Sequence, residues 1–187
     1  MNIWELDHAH RVGKEVQRLR KSSGLTAQQL GDRTEKLGLK MTRQAISDLE
    51  NGRRRYVTTA ELVVLAAALN TSPVVLIYPA PYDEMIEVLP GVEASKFTAA
   101  EWFSAKTWFG VAEKPGDDPV AKWQDAVNKL NLNRRLADLQ QQRTRAQLEA
   151  MDTDSTPENL TLYHSRLKLL DDSIADIRLR LGIDGDA

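Results

Sequence analysis

Four polar side chains in the stretch MTRQAISDLENGRRR, residues 41–55, have the types and spacing to form a binding surface. Residues three or four positions apart share one face of a helix, and this spacing brings together Arg43, Gln44, Ser47 and Asp48. Asn51-Gly52 ends the pattern, and three arginines follow. The stretch is therefore either the solvated face of an ordinary helix or a surface that touches an anionic partner.

The distribution of charge favours an anionic partner for the N-terminal part of the chain. The net charge of the 187 residues is −2, but residues 1–79 hold 12 Lys and Arg against 8 Asp and Glu. Residues 80–187 hold 13 against 19. A charge difference of this kind between two parts of a chain indicates that the basic part meets a polyanion.

Helix signals on both sides of the stretch predict the elements that position it. Apolar residues recur with the period of one helix face from His8 to Ser22. Thr26 and Gln29 form a capping-box pattern for a second helix. Gly31 lies inside that helix, where glycine is costly, and it indicates close approach by another helix.

The third helix contains the polar face itself. Thr42 is expected to cap it, and its inward side chains are Ala45, Ile46 and Leu49. A fourth helix opens at Thr58 or Thr59, and a fifth opens at Pro73. These short helices predict a compact all-α domain over residues 1–79, with its own core.

Residues 25–52, LTAQQLGDRTEKLGLKMTRQAISDLENG, resemble the helix-turn-helix of the Xre family of phage-repressor and Cro-like regulators. The matching features are Leu25-Thr26, Leu30-Gly31, Thr42, Ile46, Leu49 and Glu50-Asn51-Gly52. The segments ELVVLAAALN and PVVLIY are similar to the fourth and fifth helices of that family, so the resemblance covers residues 8–78. It implies a five-helix phage-repressor-like DNA-binding domain.

The resemblance also implies which side chains meet DNA. The helix opened by Thr42 would enter the major groove, where its first turns reach base edges. Arg43 can bind guanine and Gln44 can bind adenine, while Asp48 can accept from a cytosine amino group or hold Arg43 in position. The expected base-reading residues are Arg43, Gln44, Ser47 and Asp48. The residues expected at phosphates are Thr26, Gln28, Thr42, Asn51, Arg53, Arg54 and Arg55.

The segment between Gly31 and Ile46 is longer than is usual in this family. We expect the extra residues to lengthen the second helix and the turn that follows it. Together with the segments EVLPG and EWFS further along the chain, this longer turn resembles regulators of actinobacteria and their temperate phages.

The chain after residue 79 is expected to hold a small central segment, a linker and a helical hairpin. In the central segment, residues 80–110, Met85–Pro90 and Val92–Phe97 could pair as a β-hairpin, and Thr98 with Glu101 forms a capping box for a short aromatic helix. Residues 111–119 are typical of a linker. The long periodic segments of residues 120–187 predict an antiparallel helical hairpin.

A heptad seam runs through the last helix at steps of three and four residues. Its members are Leu160, Tyr163, Leu167, Leu170, Ile174, Ile177 and Leu181. Two hairpins pairing through this seam would form a four-helix module and a homodimer. Alternatively, the hairpin buries the seam on itself, and a monomer binds an asymmetric DNA site.

Other function classes find little support in the sequence. There is no cysteine, the two nearby histidines do not share a helix face, and no phosphate loop or nucleophile motif occurs. We therefore expect no catalytic residue, no metal and no cofactor. The N-terminus lacks a signal peptide pattern and no window is apolar enough for a membrane helix, so we expect a soluble cytoplasmic protein.

These observations favour a sequence-specific regulator that binds double-stranded operator DNA. A repressor that occludes a promoter is the interpretation we prefer, and the resemblance alone suggests a phage or prophage immunity repressor. The alternative is the antitoxin of a toxin–antitoxin pair, whose hairpin binds the toxin. A third hypothesis is a ligand-sensing regulator with an effector pocket near Trp102 and Trp108.

Overall fold

The computed structural model describes residues 3–110, 118–151 and 157–183. The chain divides into two compact units, Met1–Phe109 and Gly110–Ala187. The described part of the first unit contains α1 Ile3–Ser22, α2 Ala27–Lys36, α3 Arg43–Glu50, α4 Thr59–Ala68, α5 Pro73–Ile77, β1 Met85–Leu89, β2 Val92–Ser95 and α6 Lys96–Phe103. The second contains α7 Pro119–Ala150 and α8 Pro157–Leu181. The prediction of a mainly α fold is confirmed.

Local capping signals determine where α2, α3 and α4 begin. Thr26, Thr42 and Thr58 are the N-caps of these helices, and each side chain accepts a hydrogen bond from the backbone N–H three residues later. The capping box predicted at Thr26 is present, and Thr58 forms a second one with Glu61. Because each cap satisfies backbone donors that a helix leaves open, the sequence alone locates these helix starts. The first helix, by contrast, begins at Ile3 and not at His8.

The predicted core residues of the first unit are buried together. Val16, Leu30, Ile46, Leu49 and Leu65 are all less than 2% exposed, so α1 to α4 share one apolar interior. Packing in this interior holds α3 with Ile46 and Leu49 facing inward and the opposite side facing outward.

Two glycines allow the backbone to approach this interior closely. A Cβ on Gly13 would lie 2.2 Å from the carbonyl oxygen of Leu49, so α1 and α3 can touch only at a glycine. A Cβ on Gly31 would lie 2.6 Å from the carbonyl oxygen of Met41. The prediction that another helix approaches Gly31 is therefore confirmed only in part, because the nearest neighbour belongs to the α2–α3 connection and the Ile46 side chain of α3 follows at 3.7 Å.

That connection is held by Thr34, which is fully buried. Its hydroxyl donates to the carbonyl oxygen of Gly31 at 2.8 Å and accepts from the N–H of Met41 at 3.1 Å. Helix α2 ends at Lys36, and Gly38 adopts a left-handed backbone with φ of 92°. Residues 37–42 therefore form the connection from α2 to α3.

The segment after residue 79 packs on the helices as part of the same unit. Strands β1 and β2 pair antiparallel, which confirms the predicted β-hairpin. Ile86, Val88, Ala94 and Ala99 belong to the same buried cluster as Val16 and Leu65, and the Trp4 indole donates to the carbonyl oxygen of Glu87 at 3.1 Å. We predicted from the sequence a domain boundary between residues 79 and 80. In the structure the packing is continuous there, and the first unit extends to Phe109.

The start of α6 differs from the sequence prediction. Strand β2 ends at Ser95 and not at Phe97, and Ser95 is also the N-cap of α6. Its hydroxyl oxygen accepts from the N–H of Thr98 at 3.1 Å. The predicted capping box at Thr98 and Glu101 is therefore wrong, because the chain passes from strand to helix at Ser95 without an intervening loop.

In the second unit, α7 and α8 form an antiparallel pair. Arg166 contacts Glu149 at 3.1 Å, and Arg143 pairs with Asp171 further along. Leu132, Leu136 and Ile177 form the buried centre of the pair. Arg143, which interrupts the apolar pattern of α7, therefore reaches across to α8. The linker predicted at residues 111–119 lies outside the described residues except for Asp118, which caps α7, and Pro119.

Candidate nucleic-acid interface

Helix α3 presents a polar face that is fixed by its two ends and by its buried side. The Thr42 hydroxyl accepts from the N–H of Ala45 at 3.1 Å, and Gly52 follows the helix with a φ of 70°, a conformation that glycine adopts readily. Ile46 and Leu49 are fully buried against the core. The side of α3 opposite Ile46 and Leu49 is therefore exposed to solvent, and the buried side and the two ends of the helix hold it in one orientation.

The four predicted base-reading residues lie together on this outward side. Arg43 and Gln44 are exposed, while Ser47 and Asp48 are half-buried. The Gln44 amide donates to the Asp48 carboxylate at 2.9 Å, which fixes the direction of both side chains. Among the described residues Arg43 has no hydrogen-bond or ion-pair partner, so Asp48 does not hold Arg43 as the sequence allowed. Arg43 is left to bind an acceptor outside the protein.

The predicted phosphate-binding residues of α2 lie at its positive end. Thr26 is the exposed N-cap, and its hydroxyl oxygen is occupied by the N–H of Gln29 at 3.1 Å. Gln28 donates from its amide to Asp32 at 2.8 Å. The exposed N-terminus of a helix favours anions because its backbone N–H groups and dipole point toward them.

The three arginines after α3 have three different environments. Arg53 is exposed and lies 3.4 Å from the Asp48 carboxylate. Arg54 binds the Glu61 carboxylate through both terminal nitrogens, at 2.7 and 3.0 Å, and both side chains are mostly buried. Arg55 is exposed and has no ion pair within the part of the chain that the structure describes. Arg53 and Arg55 are thus exposed near Asn51, the exposed C-cap of α3, and their contact with phosphates stays a prediction.

Arg54, predicted as a phosphate contact, is paired with Glu61 inside the first unit, and we therefore expect a structural role for it. Its bidentate pair with Glu61 ties the α3–α4 connection to the first turn of α4. Burial alone would raise the pKa of the Glu61 carboxyl, but hydrogen bonds from Arg54 and Thr58 outweigh burial and lower this pKa. Because this pKa is lowered, Glu61 stabilises the fold at pH values above its ordinary pKa of 4.5. The contribution is lost as the pH falls through the lowered pKa of the folded state.

A buried ion pair that sequence reasoning missed holds the polar face in place. Arg20, near the end of α1, donates to both oxygens of Glu50 at 2.6 and 2.7 Å and to the carbonyl oxygen of Leu25 at 2.6 Å. Glu50 is 7% exposed although it is charged. A glutamate at the buried end of α3 was a signal, because a buried charge requires a partner.

The comparisons with known proteins agree with this geometry. Residues 11–76, from the middle of α1 to α5, match the family described as a helix-turn-helix domain. Comparisons with curated proteins and with solved structures give no match. The first unit therefore contains a helix-turn-helix domain, and this match supports a DNA-binding role for residues 11–76. No helix within the described residues is long and apolar enough to cross a membrane.

We predict that Arg43→Ala weakens binding to the specific DNA site by about 1–3 kcal/mol and relaxes the preference at one base pair, because the guanidinium can bind guanine through two hydrogen bonds. Binding titrations on specific DNA, on each single-base variant and on random DNA test this. An equal loss on specific and random DNA would contradict base reading and make Arg43 a phosphate contact.

Arg54 and Arg55 form a matched pair for a second prediction. Arg55→Ala should weaken specific and random DNA alike and lower the slope of log affinity against log salt by about one unit. Arg54→Ala should instead lower the thermal stability and leave that slope unchanged at temperatures where the variant is folded, because Glu61 already neutralises Arg54. A reduced slope for Arg54→Ala with unchanged stability would restore Arg54 as a phosphate contact.

Proposed function

We propose that this protein is a sequence-specific repressor that binds a double-stranded operator and occludes a promoter. The observation that carries the proposal is the exposed start of α3, where Arg43 is without a partner among the described residues and lies beside an ordered Gln44. Arg pairs with guanine and Gln with adenine in the major groove. Occupancy of the site is sufficient to block a polymerase, so this mode of repression needs no further activity.

A phage or prophage immunity repressor is the specific form that we propose. Its support is the resemblance of residues 8–78, with their long α2–α3 connection, to regulators of actinobacteria and their temperate phages. Repressors of this kind must find one operator among many competing sites. Arg53 and Arg55 would supply affinity for any DNA, and the face of α3 would supply the preference for one sequence.

Recovery of genomic DNA bound by the protein, followed by footprinting, tests the repressor proposal. We expect a protected site that overlaps a promoter. Expression of a reporter driven by that promoter should fall when the wild-type protein is supplied and should recover when Arg43→Ala replaces it. Protected sites away from promoters, or a reporter that rises, would contradict repression by occlusion.

We further propose that the protein forms a homodimer through its C-terminal hairpin. Of the seven seam residues, only Leu170 and Ile177 are buried, and the other five remain partly exposed: Leu160, Tyr163, Leu167, Ile174 and Leu181. Two helices cover a seam from one side only. A second hairpin would cover the remaining apolar surface, and each fully buried Leu or Ile contributes about 1.5–3 kcal/mol relative to exposure.

A dimer would also suit the recognition of DNA. Two helix-turn-helix units on one dimer bind two half-sites of a two-fold operator. The linkage converts the second binding event into an intramolecular one, which raises affinity through effective concentration. A monomer that reads an asymmetric site is the alternative, and analytical sedimentation decides between the monomer and the dimer.

We expect the double substitution Leu167→Lys and Ile174→Lys to convert the dimer into a monomer in analytical sedimentation and to weaken operator binding by tenfold or more, about 1.4 kcal/mol. The matched control is Leu169→Lys, because Leu169 lies on the same helix but is 68% exposed and outside the seam. A wild-type protein that sediments as a monomer both alone and on DNA would exclude the dimer.

The partly covered seam also fits the antitoxin alternative, in which a toxin takes the place of the second hairpin. Leu162, Leu169 and Leu179 are 65–73% exposed on the same helix but lie outside the seam. Co-expression with the product of a neighbouring small gene separates the two proposals. An antitoxin should abolish toxicity and lose this protection with the seam double substitution, whereas a repressor should have no effect.

A further inference from the structure

A cavity of about 820 Å³ lies in the first unit, apart from the outward face of α3. It is lined by residues of α1, of the α3–α4 connection, of α4 and α5, and of the segment from β1 to α6. Cavities of about 300–1,000 Å³ are the usual size of small-molecule sites in proteins. The cavity is therefore large enough for a ligand of the size of two or three fused or linked rings.

The lining of the cavity is mostly apolar, with both aromatic and aliphatic side chains. Trp4, Tyr78, Trp102 and Phe103 line it together with Val88 and Leu89. Aromatic side chains contribute large apolar areas and can stack on or contact the edge of a ligand ring. An apolar molecule with rings is the ligand that such walls favour.

The ionisable residues of the cavity do not favour a charged ligand. Glu5 and Arg55 carry opposite charges and are both exposed, so each remains screened by water and attracts a ligand charge only weakly. His8 packs against Trp4 with a ring-centre distance of 4.5 Å. Burial, followed by the charge of Arg11, lowers the pKa of His8 and favours its neutral form.

We propose that this cavity is an effector site that binds an uncharged, apolar small molecule containing aromatic rings. Volume, aromatic walls and an interior free of paired charge among its described lining residues support this class of ligand. The site is distinct from the residues proposed to read DNA bases, since Arg43, Gln44, Ser47 and Asp48 do not line it.

The effector site shares one segment with the proposed DNA interface. Arg55, Tyr56 and Val57 line the cavity and belong to the connection between α3 and α4. Tyr56 is 68% exposed, and Arg55 beside it lines the same cavity. A ligand that contacts this segment would therefore compete with a DNA phosphate for the guanidinium of Arg55.

Binding of the ligand therefore weakens binding of the operator. Binding of the operator weakens binding of the ligand by the same factor, because both effects are one difference in binding free energy. This coupling rests on the proposed function, whereas ligand binding to the cavity does not. An effector of this class would act as an inducer, releasing the repressor from its operator.

The full-length protein can be tested with the neutral probe N-phenyl-1-naphthylamine, whose fluorescence rises in apolar sites and which accepts energy from tryptophan. We expect saturable binding of one probe per chain. Energy transfer should fall in Trp4→Phe and in Trp102→Phe, because both tryptophans line the cavity. Trp123→Phe is the matched control, since Trp123 does not line the cavity and its loss should leave the probe affinity unchanged.

A filled cavity gives an independent variant. Leu89→Trp places a large ring into the cavity from β1 and should weaken probe binding by about tenfold, while Val63→Trp, at an exposed position of α4 outside the cavity, should not. Circular dichroism verifies that both variants are folded, and Ala9→Phe offers a second filling position in α1.

Several results would overturn the proposal. Non-saturable binding, or a probe affinity that weakens in Trp123→Phe as much as in Trp4→Phe and Trp102→Phe, would exclude the cavity as the site. Tight binding of the anionic analogue 1-anilinonaphthalene-8-sulfonate without binding of the neutral probe would assign the site to anions. A probe affinity that weakens as the protein concentration rises would show that a second copy of the chain fills the cavity.

The coupling is tested on the operator recovered by footprinting. Saturating neutral probe should weaken operator binding by about fivefold or more, and Leu89→Trp should abolish this effect of the probe. Probe binding without any change in operator affinity would overturn the effector role. Failure of the probe to bind, with normal operator binding by the protein alone, would overturn the effector site and leave the proposed repressor function intact.

Discussion

The buried ion pair between Arg20 and Glu50 fixes the orientation of α3 relative to α1. Arg20 donates to both Glu50 oxygens at 2.6 and 2.7 Å, and its third contact is the carbonyl oxygen of Leu25 before α2. One guanidinium therefore joins the ends of α1 and α3 to the start of α2. Removal of one partner from a buried pair leaves an uncompensated charge, which typically costs about 3–5 kcal/mol. The face of α3 can be specific because this arrangement does not allow the helix to rotate.

The connection that follows α3 links this rigid face to the rest of the first unit. Arg53 contacts Asp48 on α3, Arg54 binds Glu61 on α4, and Arg55 remains exposed at the cavity. Three identical side chains thus have three environments, because their neighbours in space differ. The DNA interface that we propose and the effector cavity that we infer meet at this connection, which explains how one could control the other.

The β-hairpin and α6 complete the first unit and create its cavity. Val88 and Ala99 are buried in the same cluster as Leu65 and Leu76, so this segment is part of the core that supports α3. The antiparallel pair of α7 and α8, in contrast, has a small buried centre formed by Leu132, Leu136 and Ile177. Its partly exposed seam gives it apolar surface to share with a partner, and this is the physical basis of the dimer that we propose.

The sequence by itself determined the features that depend on neighbours within one helical turn. The N-caps at Thr26 and Thr42, a fourth helix opening at Thr58 or Thr59, the stop signal at Asn51-Gly52 and the outward position of Arg43 were all predictable. These features follow from hydrogen bonds over three or four residues and from the alternation of apolar and polar side chains. The β-hairpin was predictable for the same reason, from its alternation and from the turn at Gly91.

Only the tertiary structure decided which distant groups meet. Arg20 and Glu50 are 30 residues apart, and Trp4 and Glu87 are 83 apart, so no local pattern could pair them. The role of Arg54, the neighbour of Gly31 and the inclusion of residues 80–109 in the first unit likewise depend on packing. The cavity belongs to this class too, because its walls come from α1, the α3–α4 connection and α6, and none of these alone encloses a volume.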